Sequence, residues 1–347
     1  MNTVFRTDAS TNIGTGHFMR CLALAQAMVD KDIKPFFVIR EKSPTLEKNL
    51  KLEKIKVFHL KTQPGSTKDA IETVKLAQNI KADWIIVDGY HFRAKYQKVI
   101  KAAGLKLLFI DDYGHSDGYY ADIVLNQNIY ANKDLYSKKK LYTKLLLGTK
   151  YVLLRKEFQK WKNWKQKIKS NAKNIFITLG GSDQANATLK IIQALQFIKL
   201  KNLEVIVAIG SCNPHYKELK LAIKDSNIPI ELKKDVTNMP ELMAWADLGI
   251  LGGGTTLWEA AFMGLPSLVL CLAKNQEENT RELARRGIIV SLDRYGNLDS
   301  CKLADVITRL ILNSHKRKQM CTSGKRLVDD LGPERILTFL KKRNFSL

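Results

Sequence analysis

The residues best suited to chemistry lie near the start of the chain, in the sequence NIGTGHFMR that begins at Asn12. Two glycines, Gly14 and Gly16, precede a histidine, His17, at the point where a helical pattern begins. A neutral imidazole accepts a proton readily near pH 7, so His17 is a candidate general base. The spacing differs from G-x-G-x-x-G because Met19 occupies the third glycine position, which disfavours a dinucleotide site.

Two further glycine clusters follow predicted strands in the second half of the chain. The sequences TLGGSD and GGGTTLWE supply the candidate ligand-binding residues Gly180, Gly181, Ser182, Gly253, Gly254, Thr255, Thr256 and Glu259. Glycine lets backbone N–H groups approach an anion closely, and a helix N-terminus adds about half a positive charge. The two threonines are expected to cap the helix, and Glu259, one turn later, to accept hydrogen bonds from ribose hydroxyls. The pattern therefore predicts a diphosphate site.

A third junction between a strand and a helix carries the amides Asn275 and Gln276, in the sequence CLAKNQEEN. Amides at this place could bind sugar hydroxyls or N-acetyl groups. The structural alternative is a polar N-cap, a role that Asn275 would also fill.

The elements that must position these residues alternate between strands and helices along the whole chain. Strands are predicted at Val4–Thr7, Pro35–Arg40, Lys56–Leu60, Trp84–Asp88, Leu107–Asp111, Asp122–Asn126, Asn174–Leu179, Leu203–Ile209, Ile230–Lys233, Asp247–Leu251 and Pro266–Leu272. Such alternation predicts an α/β protein with parallel sheets covered by helices. The expected domains are 1–150 and 174–330, each Rossmann-like, joined by a basic segment at 151–173. A last helix at 331–347 could cross back to the first domain.

The basic segment is RKEFQKWKNWKQKIKSNAK, residues 155–173, whose aromatic residues recur near helical spacing. It is predicted to be a basic linker, or a connecting helix that packs its aromatics on one domain. The alternative is an amphipathic helix that makes a weak contact with an anionic membrane.

Charge and cysteine usage limit the class of protein. The formal net charge is +23, which would attract nucleic acid, an anionic membrane or a phosphorylated substrate. The excess is mostly lysine spread along the chain, so nucleic-acid binding is not expected. Five scattered cysteines without a C-x-x-C pair indicate a reducing cytoplasm and no disulfide or metal site. Neither a signal peptide nor a membrane-spanning run of about 20 apolar residues is predicted.

Several motifs together resemble a known family. FRTDASTNIGTGHFMRCLALA resembles the opening of the UDP-sugar hydrolases of pseudaminic acid biosynthesis, and WIIVDGYHF, IDDYG, DIVLNQNIYA and FITLGGSD fit that family in the same order. GGGTTLWEAAFMGLPSLVL and KNQEENTRELARRG resemble the nucleotide-sugar half of MurG-type glycosyltransferases. The resemblance covers residues 1 to about 290. It implies a GT-B architecture, with two Rossmann-like parallel-sheet domains facing a central cleft that holds the active site.

The resemblance also implies roles for particular residues. The general base falls on His17, a tyrosine near the sugar on Tyr90, the asparagine of the KNQE segment on Asn275 and a ribose carboxylate on Glu259. A partner should fix the tautomer of the histidine, and Asp8 is the candidate for that role.

The implied reaction is hydrolysis of a UDP-diacetamido-trideoxy sugar at its anomeric carbon with inversion, in the synthesis of a flagellin or surface glycan. UDP is a good leaving group, so backbone amides at 253–255 could suffice to stabilise it. No cofactor, metal or obligate protein partner is implied. An inverting glycosyltransferase that uses a sugar or lipid acceptor is the alternative. The sugar's stereochemistry, and a function for the extra length at 135–173, stay open.

Overall fold

The computed structural model describes residues 1–9, 14–211, 213–294 and 299–342, which form two compact units. Unit 1 holds Met1–Lys156 together with the segment from Asp330 onward, and unit 2 holds Glu157–Asp329. The first unit therefore runs to 156 rather than to the predicted 150. The reason is that Tyr151 and Leu153 pack into the hydrophobic core of unit 1.

The strands of unit 1 are β1 (Asn2–Thr7), β2 (Lys34–Ile39), β3 (Lys56–His59), β4 (Trp84–Asp88), β5 (Lys106–Ile110), β6 (Ile123–Asn126) and β7 (Lys144–Leu147). Those of unit 2 are β8 (Asn174–Thr178), β9 (Glu204–Ile209), β10 (Ile230–Lys234), β11 (Leu248–Gly252), β12 (Ser267–Cys271) and β13 (Ile289–Arg294). The sequence pattern found eleven of these and missed β7 and β13.

Helices connect the strands. Unit 1 contains α1 (Gly16–Val29), α2 (Pro44–Leu52), α3 (Thr67–Asn79) and α4 (Ala94–Ala102). Unit 2 contains α5 (Ala187–Leu195), α6 (Tyr216–Lys224), α7 (Met239–Trp245), α8 (Thr256–Met263), α9 (Glu277–Arg285), α10 (Ser300–Leu312) and α11 (Ser314–Leu327). The last helix, α12 (Gly332–Leu340), contacts α1 in unit 1, and the carbonyl of Leu340 accepts a hydrogen bond from the indole of Trp84. None of the helices in the described ranges is long and apolar enough to cross a membrane.

The two sheets have the same strand order. Within the described residues the sheet of unit 1 runs β3-β2-β1-β4-β5-β6-β7, that of unit 2 runs β10-β9-β8-β11-β12-β13, and the neighbouring strands pair in parallel. The central strands WIIVD and LGILG are buried along their whole length, because helices cover both faces. In each sheet the order reverses at one place, between β1 and β4 and between β8 and β11. Such a switch point leaves a crevice at the carboxyl ends of the strands, where ligands bind in this kind of fold.

The segment 155–173, for which the sequence predicts a linker or a helix, does not form an α-helix. The segment forms a 3-10 helix over Lys156–Trp161 and continues without regular structure to the start of β8. Phe158 is buried against Phe262, and the ring of Trp161 packs on that of Trp164. Contacts with unit 2 thus replace the helical repeat, and the aromatics do not form an exposed apolar stripe.

Candidate active site

His17 lies at the switch point of unit 1, in the first turn of α1. Gly14 has a φ of 76°, a conformation that glycine adopts without strain, and the chain turns there from β1 into the helix. The Nδ1 atom of His17 lies 2.7 Å from Oδ1 of Asp88, the last residue of β4. The imidazole is almost fully buried and Asp88 completely so. The fold therefore builds a histidine–carboxylate pair from two adjacent strand ends.

Asp8 is not the residue that orients His17. Its carboxylate accepts hydrogen bonds from Nη1 of Arg6 at 2.7 Å and from the backbone N–H of Arg40 at 2.8 Å. Nε2 of His91 lies 3.4 Å from the same carboxylate. Asp8 follows β1 and faces the β2 side of the sheet, whereas Asp88 stands at the end of the neighbouring β4 and faces the imidazole.

The carboxylate of Asp88 is held by a second residue of α1. Nε and Nη2 of Arg20 donate to its two oxygens at 2.6 and 2.7 Å. The same guanidinium donates from Nη1 and Nη2 to Asp112 at 2.6 and 3.1 Å. Arg20 thus forms a fork on each of two buried carboxylates, an arrangement that its planar group with five donors makes possible.

Asp112 follows β5, and neutral side chains complete its surroundings. The hydroxyl of Tyr90 donates to its Oδ2 at 2.6 Å, and Nδ2 of Asn128 donates to its Oδ1 at 3.0 Å. Nδ2 of Asn126 donates to its backbone carbonyl at 2.6 Å. The rings of Tyr90 and His17 meet edge to face with their centres 4.6 Å apart. Tyr90 therefore contacts the imidazole through its ring and the network through its hydroxyl.

These contacts select one tautomer of His17. At 2.7 Å, Nδ1 must carry a hydrogen that it donates to Asp88, because two lone pairs at that distance would repel. Nη2 of Arg20, 3.1 Å from Nδ1, already donates to both carboxylates. The nitrogen that remains able to accept a proton is therefore Nε2, as in a hydrolase that uses a histidine base.

The network keeps its carboxylates ionised despite their burial. Burial alone would raise the pKa of Asp88, but the charge of Arg20 and the contact with His17 outweigh it and lower that pKa. The pKa of Asp112 is lowered in the same way, with burial opposed mainly by Arg20. Burial and the neighbouring carboxylates raise the pKa of Tyr90 and of the Cys21 thiol, so both stay protonated.

The switch point of unit 2 is built from backbone instead. Gly180, with a φ of 92°, follows β8, and a Cβ atom there would meet no atom within 4 Å. A Cβ on Gly210 would lie 2.8 Å from the Cα of Gly181, so two loops pass each other at backbone distance. A Cβ on Gly252 would lie 3.2 Å from the carbonyl oxygen of Leu179, which places the ends of β8 and β11 side by side.

The loop after β11 packs against the amide junction that follows β12. A Cβ on Gly253 would lie 2.9 Å from Cβ of Gln276 and 3.1 Å from Oγ1 of Thr280. Oε1 of Gln276 accepts a hydrogen bond from the backbone N–H of Leu272 at 2.9 Å. Gln276 therefore braces the two loops, a structural role beside the predicted contact with ligand.

The prediction that Thr255 caps α8 with its hydroxyl is wrong. Thr255 already has helical backbone angles, φ −60° and ψ −25°, and its side chain makes no cap hydrogen bond. An N-cap residue usually adopts an extended conformation that brings its side-chain oxygen to the first-turn N–H groups, and Thr255 does not. Thr256 is the first helical residue. The positive end of the α8 dipole is thus left without a hydroxyl cap from Thr255.

The other predicted binding residues of unit 2 lie around the same strand ends. Glu259 is buried in the first turn of α8, and Asn275 is half-buried in a 3-10 turn before α9. Ser182 is half-buried in the loop after β8. The next residue, Asp183, caps α5 by accepting from the backbone N–H groups of Ala187 and Thr188, at 2.9 Å each.

The sequence analysis missed Arg20, Asp88 and Asp112, although their signals are present. Two of the motifs behind the family resemblance, WIIVDGYHF and IDDYG, each run from an apolar strand into an aspartate. Adjacent parallel strands end at the same edge of a sheet, so those aspartates must meet. Arg20 follows His17 by three residues, on the same face of a helix. The sheet topology and the helix periodicity together were sufficient to predict that these residues lie close to one another.

Comparisons with known proteins agree with this architecture. Residues 174–330 match the glycosyltransferase family 28 C-terminal domain. The chain is 30% identical over 284 residues to an uncharacterized protein of Methanocaldococcus jannaschii, MJ1062, covering 80% of this chain and 57% of that relative, or a little over half its length. It is 30% identical to the UDP-2,4-diacetamido-2,4,6-trideoxy-β-L-altropyranose hydrolase of Campylobacter jejuni, covering 83% of this chain and 97% of that protein.

Among solved structures, the MurG of Acinetobacter baumannii superposes with a TM-score of 0.69 at 15% identity, covering 98% of this chain and 99% of MurG. This likeness confirms the predicted α/β fold of GT-B type with two parallel-sheet domains. The match to the Campylobacter protein along nearly its whole length shows the relationship within that fold. The chain therefore belongs to the family of the Campylobacter jejuni hydrolase, and its own residues 174–330 match the C-terminal domain of family 28 glycosyltransferases.

Proposed function

We propose that the protein hydrolyses a UDP-linked diacetamido-trideoxy sugar at its anomeric carbon and releases UDP and the free sugar with inversion. The observation that carries the proposal is the buried pair of His17 and Asp88, 2.7 Å apart at the switch point of unit 1. The name of the Campylobacter relative supports the choice of substrate class. The reaction belongs to the synthesis of pseudaminic acid or a related surface sugar.

In the proposed reaction, Nε2 of His17 takes a proton from a water molecule as the water oxygen forms a bond to the anomeric carbon. The bond between that carbon and the phosphate oxygen breaks, and its electron pair leaves with UDP. The imidazolium that forms is stabilised by the Asp88 carboxylate at Nδ1. General base catalysis of this kind contributes about 10²–10⁴-fold in rate.

Unit 2 is proposed to hold the nucleotide. Backbone N–H groups at 180–182 and 253–256 would bind the diphosphate, helped by the dipole of α8. Glu259 would accept hydrogen bonds from the ribose, and Asn275 would contact the sugar. The leaving group is a diphosphate, which departs as a stable anion, so no residue is required to protonate it.

Proton NMR of the reaction mixture tests the proposal directly. With a UDP-diacetamido-trideoxy sugar as substrate, we expect to detect UDP and the free sugar. The anomeric proton signal should show that the configuration at the anomeric carbon is inverted. His17→Asn should lower turnover by about 10²-fold or more while UDP still binds. His59→Asn is the matched control, because that exposed histidine pairs with Glu47 on the surface of unit 1. Release of UDP by His17→Asn within twofold of wild type would contradict the role of the histidine.

An inverting glycosyltransferase is the second candidate, favoured by the family 28 match of unit 2. In that case a sugar or lipid hydroxyl would replace water, and contact with an anionic membrane through 155–173 would help to reach a lipid. Product analysis with and without acceptor separates the two functions. Free sugar formed at the full rate without acceptor, and no sedimentation with anionic vesicles, would exclude the transferase.

A further inference from the structure

We propose that Arg20 is a positioning residue that holds Asp88 and Asp112 in place beside His17 and offsets their negative charges, so that the imidazole can act as the base. This inference rests on the proposed role of His17 as the base. A histidine beside two buried carboxylates would hold its proton so firmly that it could not act as a base at neutral pH.

The guanidinium of Arg20 contacts both carboxylates and the imidazole. Arg20 lies between the two carboxylates and binds each through two N–H groups, at 2.6 to 3.1 Å. Its Nη2 atom is also 3.1 Å from Nδ1 of His17. The positive charge thus lies only 0.4 Å farther from Nδ1 than the Asp88 oxygen, which is 2.7 Å away. All three charged side chains are at least nine-tenths buried, so water screens them little.

The net charge around His17 is set by the ionised side chains near it. Among the described residues, Asp88 and Arg20 contact the imidazole directly, and Asp112 contacts it through Arg20. Tyr90 and Cys21 touch the same carboxylates but stay protonated. The three ionised groups therefore sum to one net negative charge, which would stabilise an imidazolium that forms during the reaction.

Two further groups of charged side chains lie just outside this cluster. His115, whose ring packs on Tyr90, lies 3.1 Å from Asp111. Arg6, in β1, is paired with two carboxylates, Asp8 and Asp69. Within the described part of the chain, neither group forms a hydrogen bond with His17, Asp88 or Asp112, so variants of Arg20 change the electrostatic field at His17 most directly.

The inference predicts shifts of opposite sign in the pH dependence of kcat/KM. In Arg20→Met, two carboxylates face the imidazole without a cation, and the midpoint of the acid limb should rise by about 1 pH unit or more. In Asp112→Asn, one negative charge is lost while Arg20 remains, and the midpoint should fall by a similar amount. In the double variant Arg20→Met/Asp112→Asn the balance returns, and the midpoint should lie close to that of wild type.

Arg20→Lys separates charge from shape. Lysine keeps the positive charge but cannot fork onto both carboxylates, so kcat should fall while the midpoint stays within about 0.3 pH unit of wild type. A merely structural role for Arg20 would lower activity in every variant without moving the midpoint in a direction set by charge.

The decisive readout is an NMR titration of the His17 ring nitrogens in each variant without substrate, with His17→Asn used to assign the signal. We expect the same signed shifts as in the kinetic profiles. Equal midpoints in wild type and Asp112→Asn, or shifts of the same sign in Asp112→Asn and Arg20→Met, would overturn the inference. The isosteric Asp112→Asn keeps the test decisive if Arg20→Met fails to fold. Persistent hydrolysis by His17→Asn would instead refute the proposed function, and the titration would still report on the charge balance.

Discussion

The two switch points share a strand order and differ in the chemistry they carry. In unit 1 the last residue of β4 is Asp88, and charged side chains fill the crevice beside it. In unit 2 the last residue of β11 is Gly252, and backbone lies where those side chains would be. The same topology thus provides a place for a ligand twice, while the residue types at the strand ends decide what is done there.

This difference indicates a division of labour. Buried side chains that fix one tautomer suit proton transfer, whereas glycine backbone beside a helix N-terminus suits an anion. Substitutions at one switch point, combined with a measurement of the property assigned to the other, test this division.

The largest effect is expected from Asp88→Asn. The amide can donate a hydrogen bond to Nδ1 and so favour the tautomer that carries its proton on Nε2, where it cannot accept one. We expect turnover to fall by about 10³-fold, measured by UDP release at saturating substrate. UDP affinity, measured by calorimetry, should stay within about twofold. A parallel loss of UDP affinity would contradict the separation of the two sites.

A second expectation concerns acid stability, which should be a property of unit 1. Burial alone would raise the pKa of Asp8, but the contact with His91 and the charge of Arg6 hold it at about 2. Since this pKa is depressed, the stabilisation is present above about pH 4 and is lost as the pH falls towards 2. At neutral pH, Asp8 alone should add about 2 kcal/mol to the free energy of unfolding, which stabilises the folded state.

Hydrogen exchange of the β1 and β4 amides, corrected for intrinsic rates, measures this loss. The control is Asp8→Asn, in which the dependence on pH should flatten. Equal acid sensitivity of the two proteins would show that Asp8 does not contribute.

A smaller effect is expected from Gly253→Ala in unit 2. The new Cβ would lie 2.9 Å from Cβ of Gln276, so the loop must shift. We expect the Kd for UDP and the KM to rise by about tenfold, which corresponds to a loss of about 1.4 kcal/mol of binding free energy. The kcat should change little. Gly254→Ala is the companion variant, because its Cβ would have no neighbour nearer than 4.0 Å. If the diphosphate approaches this backbone, Gly254→Ala should weaken UDP binding without lowering thermal stability.

The smallest effect is expected from Thr255→Ala. Its side chain makes no cap hydrogen bond, so the free energy of unfolding should change by less than about 0.5 kcal/mol. Asp299→Ala is the matched control, since Asp299 caps α10 by accepting from the N–H of Lys302 at 2.8 Å. Its loss should cost about 1 kcal/mol. Denaturant unfolding distinguishes these values, and similar losses in both variants would argue for a capping role of Thr255.

Much of the fold follows from local patterns in the sequence. Mostly apolar runs such as WIIVD and SLVLC predicted the buried central strands, because helices cover both faces of a parallel sheet. The edge strands β7 and β13 were missed, since β7 is only four residues long and starts in a lysine-rich stretch. The aromatic spacing at 155–173 suggested a helix, but Phe158 and Trp164 are fixed by contacts with unit 2 that local periodicity does not encode.

The candidate site was predictable in part. His17 could be identified from its loop and the resemblance. The choice of Asp8 as its partner followed chain order, whereas the shared edge of the parallel strands brings Asp88 beside the imidazole. The resolved geometry assigns Asp88 and pairs Asp8 with Arg6. The predicted cap by Thr255 is absent for a similar reason. The backbone angles of Thr255 depend on the path of the chain between β11 and α8, which the local sequence does not determine.

Hydrogen exchange with and without UDP tests the division of labour most directly. The account predicts that UDP slows exchange at residues 252–258 and 275–280 in unit 2, while the segments 16–21 and 86–92 around His17 change little. Protection confined to the segments around His17 would contradict it, because the nucleotide would then bind at the switch point assigned to proton transfer.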